Sequence, residues 1–288
     1  MFLPGKILEE KLREFLAEDI GQGDITTSLI VPAGVNAEAS VIAKESGIAA
    51  GIEEAKIFLH SLGLEVEASV ADGGKIRPKQ VLLKISGDAR TILAAERTLL
   101  NLLSRMSGIA TATRNLVEKL RKARLKARIA CTRKTGPGLM YFDKKAVLVG
   151  GGDTHRLHLD DLVLIKDNHI AIAGSVEKAV KKARTQVSFS KKIEVEVTKT
   201  EDVLRAVEAG ADIAMLDNFS PKQIEKAVAL LKKEKYYGRI LLEASGGITA
   251  ENILKFASTG VDLVSLGEIT QSPKALNMSL EITKTHEC

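Results

Sequence analysis

Arg133 and Lys134, His155 and Arg156, and Lys166 are the residues of this sequence with the most definite chemistry. They belong to polar segments that follow runs of Val, Ile and Leu. Cations held together repel one another unless an anion neutralises them, so their ligand should carry several negative charges. An arginine also grips a planar carboxylate through two parallel hydrogen bonds. Two carboxylates, Glu196 and Asp217, end further apolar runs and are expected on strands opposite the cations. They could hold sugar hydroxyls or Mg²⁺, stabilise positive charge at a sugar carbon, or simply pair with nearby lysines. Ser245-Gly246-Gly247-Ile248 and Gly267 form a third group, whose backbone amides beside a helix N-terminus would suit a phosphate. The combination predicts a sugar phosphate bound next to a second, multiply anionic molecule.

Such residues meet only if a regular scaffold brings the run ends together. Strands starting near 192, 212, 239 and 261, separated by helical segments such as Thr200–Ala209 and Pro221–Lys233, repeat every ~20–27 residues, the length of a βα unit in a parallel sheet. With candidate strands at 128–131, 145–149 and 162–165, the pattern predicts a closed, barrel-like (β/α) domain of about seven strands over residues 113–271. In that architecture chemistry sits at the C-terminal strand ends, where the polar segments fall. Residues 1–112 have a different texture and predict a smaller α+β open-sandwich domain. An amphipathic helix over 6–18 is followed by strands near 35–44, 64–70 and 80–86, a helix at 51–62 and a long helix from about 89 to 123, with Gly108 as a possible break. The tail, 272–288, is expected to pack back on this domain.

Composition narrows the function. Hydrophobic residues at 45% and charged residues at 27% describe a globular chain, which excludes disorder and fibrous classes. The net charge of +5 includes a basic run at 119–128, but with 3% aromatics and no Trp the sequence has few base-stacking platforms, so no nucleic-acid partner is expected. No apolar stretch is long enough to span a membrane. Lys6, Glu9, Glu10 and Lys11 interrupt any signal-like apolar segment near Met1 and Phe2, so a cytoplasmic protein is expected. Cys131 and Cys288 support neither a disulfide framework nor a zinc site, and Cys131 fits a buried strand position better than a nucleophile. The sequence has no P-loop, no dinucleotide glycine fingerprint and no H-E-x-x-H.

The motifs resemble those of the quinolinate phosphoribosyltransferases in order along nearly the whole chain. The matching segments are Glu18-Asp19-Ile20-Gly21 with Gly23-Asp24-Ile25-Thr26-Thr27, Glu96-Arg97-Thr98-Leu99-Leu100-Asn101, Ser107-Gly108-Ile109-Ala110-Thr111 and Thr132-Arg133-Lys134-Thr135. Further on come Gly150-Gly151-Gly152 to His155-Arg156, Leu164-Ile165-Lys166-Asp167-Asn168-His169, Glu194-Val195-Glu196-Val197, Met215-Leu216-Asp217-Asn218 and Glu243-Ala244-Ser245-Gly246-Gly247-Ile248. The resemblance implies condensation of quinolinate with phosphoribosyl pyrophosphate (PRPP), using Mg²⁺, to nicotinate mononucleotide, pyrophosphate and CO₂. It implies that Arg133, Lys134, His155, Arg156 and Lys166 hold quinolinate, with Arg97 reaching the pocket from the other subunit of a homodimer or higher oligomer. By the same resemblance Lys166, Glu196, Asp217, Ser245, Gly246, Gly247 and Gly267 surround PRPP. Lys134, Glu196 and Asp217 would be catalytic, and Glu196 and Asp217 would hold the metal directly or through water. Gly136, Met140 and His158 depart from the family pattern, which usually has Thr, Arg and Gly there. A phosphoribosyltransferase for another aromatic acid, or a non-catalytic paralogue, is the alternative reading.

Overall fold

The computed structural model describes residues 3–286. Met1, Phe2 and Cys288, which enter the sequence argument, lie outside the described residues. The chain divides into two compact units. One comprises the chain up to Ala112, Leu148–Gly150 and the segment from Pro273 on; the other comprises Thr113–Val147 and Gly151–Ser272.

The first unit begins with α1 (Gly5–Ile20), which buries Leu8, Leu12 and Leu16, one residue per helical turn. A short helix not anticipated from the sequence follows, α2 (Ile25–Ile30), started by the Asp24 carboxylate accepting the Thr27 N–H at 2.9 Å. Then come β1 (Asn36–Ala43), β2 (Gly47–Ile48), α3 (Ile52–Ser61), β3 (Glu65–Ala68), β4 (Lys75–Ile76), β5 (Val81–Asp88) and α4 (Ala89–Lys122). Ala37, Ala39, Val41 and Ala43 of β1 are buried on one face of an antiparallel sheet ordered β12-β1-β5-β3, the last strand of the chain being β12 (Met278–His286). β12 pairs with β1 along its length, so the C-terminal segment is an integral strand of this sheet. α4 runs through Gly108 without a break. A β-carbon there would collide with the carbonyl of Lys274, so this glycine serves close backbone approach rather than helix termination.

The second unit is built from β6 (Arg128–Cys131), α5 (Met140–Gly150), β7 (Val163–Ile165), α6 (Asp167–Ala173), α7 (Val176–Gln186), β8 (Ile193–Val197), α8 (Thr200–Glu208), β9 (Ile213–Asp217), α9 (Pro221–Lys233), β10 (Leu241–Ser245), α10 (Ile253–Ala257), β11 (Leu263–Leu266) and α11 (Glu268–Gln271). Alternation of strands with helices gives one parallel sheet ordered β6-β11-β10-β9-β8-β7. One feature corrects the sequence expectation. The segment 145–149 lies in helix α5, where Phe142, Ala146 and Val147 are buried, because a short apolar run fits a buried helix face as well as a strand. This leaves a six-stranded parallel sheet, flanked at β6 by a single parallel bridge from Ala130 to Asp153, within the expected barrel-like α/β class. Among the described residues no ladder joins β6 to β7. No described helix is long and apolar enough to cross a membrane.

Candidate active site

Side chains alternate along a strand, so residues two apart share a face. At the C-terminal ends of the parallel strands this parity selects Cys131 and Arg133, Leu164 and Lys166, Met215 and Asp217, Glu243 and Ser245, and Ser265 and Gly267. All of these line one cavity of about 560 Å³, together with Glu196, Lys134, His155, Arg156, Gly246 and Gly247. Each second-unit residue proposed from the sequence is therefore in that cavity. Arg97 is exposed on α4 of the first unit and is not among the lining residues. Gly136, Met140 and His158 do not line it either.

Strand order gives the cavity three sectors. Arg133 and Lys134 follow β6; Gly267 follows β11; Ser245 ends β10 and Gly246 and Gly247 follow it; Asp217 ends β9 and Glu196 lies next to the end of β8; Lys166 follows β7. The glycine corner thus lies between the main cations and the carboxylates. The expectation that the carboxylates face the cations from opposite strands needs correction for Lys166. It stands on the strand next to Glu196 and pairs with it at 2.8 Å, because parallel neighbours in register present their ends side by side.

The cationic sector is tightest at Arg156, which is 9% exposed. Burial, followed by the charge of Arg133, pulls the Arg156 pKa down. Two guanidiniums close enough to disturb each other, Arg156 buried and Arg133 exposed, suit the binding of an anion. Lys134 is fixed through its backbone: its N–H donates to Thr132 Oγ1 at 3.2 Å and its carbonyl accepts Thr270 Oγ1–H at 2.9 Å.

The glycine corner has backbone reasons for its residues. Gly246 and Gly247 have φ of +91° and +61°, the left-handed region. A β-carbon on Gly246 would collide with the side-chain amide of Asn218, itself at φ +56°. Asn218 Nδ2 donates to Asp217 Oδ2 at 3.0 Å, linking this corner to the carboxylate sector. The backbone of Gly246 and Gly247, lining the cavity, suits the close approach of a phosphate.

The layer beneath contains residues that the sequence reasoning passed over. Glu194 and Glu243 are fully buried, and their carboxylates lie 3.2 and 3.1 Å from His155 Nε2. Ser265 Oγ donates to Glu243 Oε1 at 2.5 Å. Burial lowers the His155 pKa, but hydrogen bonds and charge from Glu194 and Glu243 outweigh it and push the value up to about 10. The Arg156 N–H donates to His155 Nδ1 at 2.7 Å, which requires that nitrogen to be bare. That contact favours the Nε2–H tautomer of the neutral ring, whereas the two carboxylates favour its protonation; the Glu194 pKa is raised, chiefly by burial. The signal was available in sequence: Glu194 and Glu243 precede Glu196 and Ser245 by two residues and must share their faces.

Glu196 and Asp217 belong to none of the three-residue groups that could enclose a cation among the described residues, which are His155/Glu194/Glu243 and His158/Asp160/Asp161. Two hard oxygen donors on adjacent strands, beside a phosphate corner, fit Mg²⁺, which binds through one or two carboxylates, waters and substrate phosphates.

Known proteins resemble this chain in sequence and fold. The family described as quinolinate phosphoribosyl transferase, C-terminal domain, matches residues 109–281, and its N-terminal domain matches residues 24–107. A probable nicotinate-nucleotide pyrophosphorylase [carboxylating] of Methanothermobacter thermautotrophicus is 45% identical over 271 residues, 94% of this chain and 97% of its own. The Homo sapiens nicotinate-nucleotide pyrophosphorylase [carboxylating] is 37% identical over 282 residues, covering 98% and 94%. The solved nicotinate-nucleotide pyrophosphorylase of Francisella tularensis superposes with a TM-score of 0.88 at 39% identity, covering 98% of each chain. With both domains matched in order and near-complete coverage, the chain belongs to the quinolinate phosphoribosyltransferase family.

Proposed function

We infer that this protein catalyses the decarboxylating transfer of a phosphoribosyl group from PRPP to quinolinate, giving nicotinate mononucleotide, pyrophosphate and CO₂ in NAD biosynthesis. The observation that carries this reading is the buried Arg156 beside Arg133, in the same cavity as the Gly246–Gly247 corner. A dicarboxylate supplies the negative charge that the buried Arg156 and the exposed Arg133 beside it call for, whereas nicotinate would leave part of it unmatched.

In this reading Arg133, Lys134, His155 and Arg156 hold the two carboxylates, and Ser245, Gly246, Gly247 and Gly267 cradle the 5′-phosphate. The C1–oxygen bond to pyrophosphate breaks as the pyridine nitrogen forms its bond to C1. Glu196 and Asp217 stabilise the positive charge that develops on the ribose. Mg²⁺ held by these two carboxylates, directly or through water, would neutralise pyrophosphate charge. Lys166, drawn to Glu196 in the free protein, is positioned to reach the pyrophosphate or the acid. After transfer, the ring is a pyridinium. The bond from C2 to its carboxylate breaks, CO₂ leaves, the electron pair stays on C2 next to the cationic nitrogen, and Lys134 delivers a proton there. No covalent enzyme intermediate is needed. The reading includes a cytoplasmic enzyme working as a homodimer or higher oligomer, with Arg97 supplied from the partner chain.

Parallel assays with PRPP and Mg²⁺, one with carboxyl-labelled quinolinate and one with nicotinate, test the assignment. Mononucleotide and labelled CO₂ from quinolinate alone are expected. Turnover of nicotinate alone, or silence with both acids from folded protein, overturns it.

A further inference from the structure

Lys144, in α5, is completely buried and does not line the cavity. Its Nζ donates to the carbonyl oxygens of Thr154 and of Arg156, 3.2 Å for the latter. These are the residues on either side of His155. Between them His155 has φ +52°, a left-handed conformation that a residue with a β-carbon keeps only where its surroundings enforce it. Asp153 Oδ1 accepts the His155 N–H at 2.8 Å, and Thr154 Oγ1 donates to the His155 carbonyl at 2.9 Å. Across the ring, Glu243 meets Nε2 at 3.1 Å and is itself fixed by Ser265. Burial pulls the Lys144 pKa down, the cost of taking an ammonium out of water. Two carbonyl acceptors answer that cost.

We propose that Lys144 and Glu243 are positioning residues that clamp the His155–Arg156 turn from its backbone side and its ring side, and so set the affinity for the dicarboxylate acid. The inference rests on the reading of His155 and Arg156 as ligands of that acid. A bidentate guanidinium–carboxylate pair tolerates little displacement, so a turn that relaxes loses the acid before it loses the sugar phosphate, which is held on β10 and β11.

Initial rates of the intact enzyme, with quinolinate and PRPP varied in turn, test this in Lys144→Met and Glu243→Gln. Lys144→Met should raise KM for quinolinate ~10-fold or more while KM for PRPP and kcat stay within about threefold. Glu243→Gln, which keeps side-chain volume but replaces a charged acceptor by a neutral one, should raise KM for quinolinate about fivefold with the same selectivity. Should Lys144→Met fail to fold, Glu243→Gln carries the comparison. Parallel increases in both KM values, or loss of kcat with both KM values unchanged, mean a purely structural role and overturn the proposal. Direct calorimetric binding of quinolinate to the unmodified enzyme separates the two levels. If the acid does not bind at all, the functional reading fails; if it binds and turns over but the variants match the parent, only the positioning role fails.

Discussion

Lys166 Nζ lies 2.8 Å from Glu196 Oε1, joining the ends of adjacent strands β7 and β8. This pair divides the cations of the cavity into two kinds. Arg133 and Arg156 stand close enough for their charges to oppose each other, whereas Lys166 is ion-paired with a carboxylate in the free protein. Substrate that binds Lys166 must therefore compete with Glu196 or bring a metal that satisfies the carboxylate.

The two side chains should consequently act as a unit. In a double-mutant cycle on kcat/KM, Lys166→Met and Glu196→Gln are expected to be coupled by about 0.5–3 kcal/mol, as residues in one ion pair are. The pair adds little to folding stability, because Lys166 is half-exposed and solvent screens it. Effects that simply add, within ~0.5 kcal/mol, would show that the contact has no part in turnover.

Gly246 tests the phosphate corner. Its φ of +91° and the adjoining Asn218 side chain exclude a β-carbon. Gly246→Ala should lower stability by about 1–3 kcal/mol, the usual cost of enforced backbone strain. It should also lower kcat/KM for PRPP on the order of 100-fold, since a shift of about 1 Å in a positioning group has that effect. Thermal unfolding and steady-state kinetics on the same preparation give both numbers. Wild-type kinetics from a destabilised variant would remove the corner from the site.

These residues also show which parts of the fold and site could be read in advance. Strand ends such as Arg133, Lys166, Glu196 and Asp217 were legible because an apolar run followed abruptly by a charge is a local pattern, and a parallel sheet collects such ends. The helix over 145–149 was not, because Ala146-Val147-Leu148-Val149 satisfies either period and only packing against the rest of the unit decides. Lys144 was hidden for the same reason: assigned to the approach to a strand, it gave no hint that its ammonium turns inward to two carbonyls. The strand-to-strand neighbourhood of Lys166 and Glu196 depends on sheet order, which no local pattern encodes.

The His155 cluster should leave a pH signature in stability. Glu194 and Glu243 face Nε2, while Nδ1 receives the Arg156 N–H and the ring's backbone N–H meets Asp153. The folded-state value of about 10 stands above the ordinary 6.5. A raised pKa contributes stability fully below the unfolded value and loses it as pH rises through the folded one. Stability from this cluster is thus present at pH 6 and fades between about 6.5 and about 10. Urea unfolding at pH 6 and 9.5 should show a larger fall for the parent protein than for His155→Gln, in which the titrating ring is gone. Equal falls would mean that the ring gains no proton affinity from the two carboxylates.

The assignment of Arg97 to a neighbouring chain makes the most demanding prediction. Arg97 is exposed on α4 and absent from the cavity lining, while Lys134 is part of it. If one chain supplies Arg97 to the cavity of its partner, Arg97→Ala and Lys134→Ala damage different halves of the same composite site. Each variant alone should be nearly inactive. In a mixed dimer, however, one cavity receives both lesions and the other receives neither. Random pairing of equal amounts makes half the dimers mixed, so roughly a quarter of all cavities are intact and activity returns to about that fraction of the parent value. Co-expression with two different affinity tags isolates the mixed dimer, in which about half of the parent activity is expected. A mixed dimer as inactive as its parents would remove Arg97 from the partner's cavity.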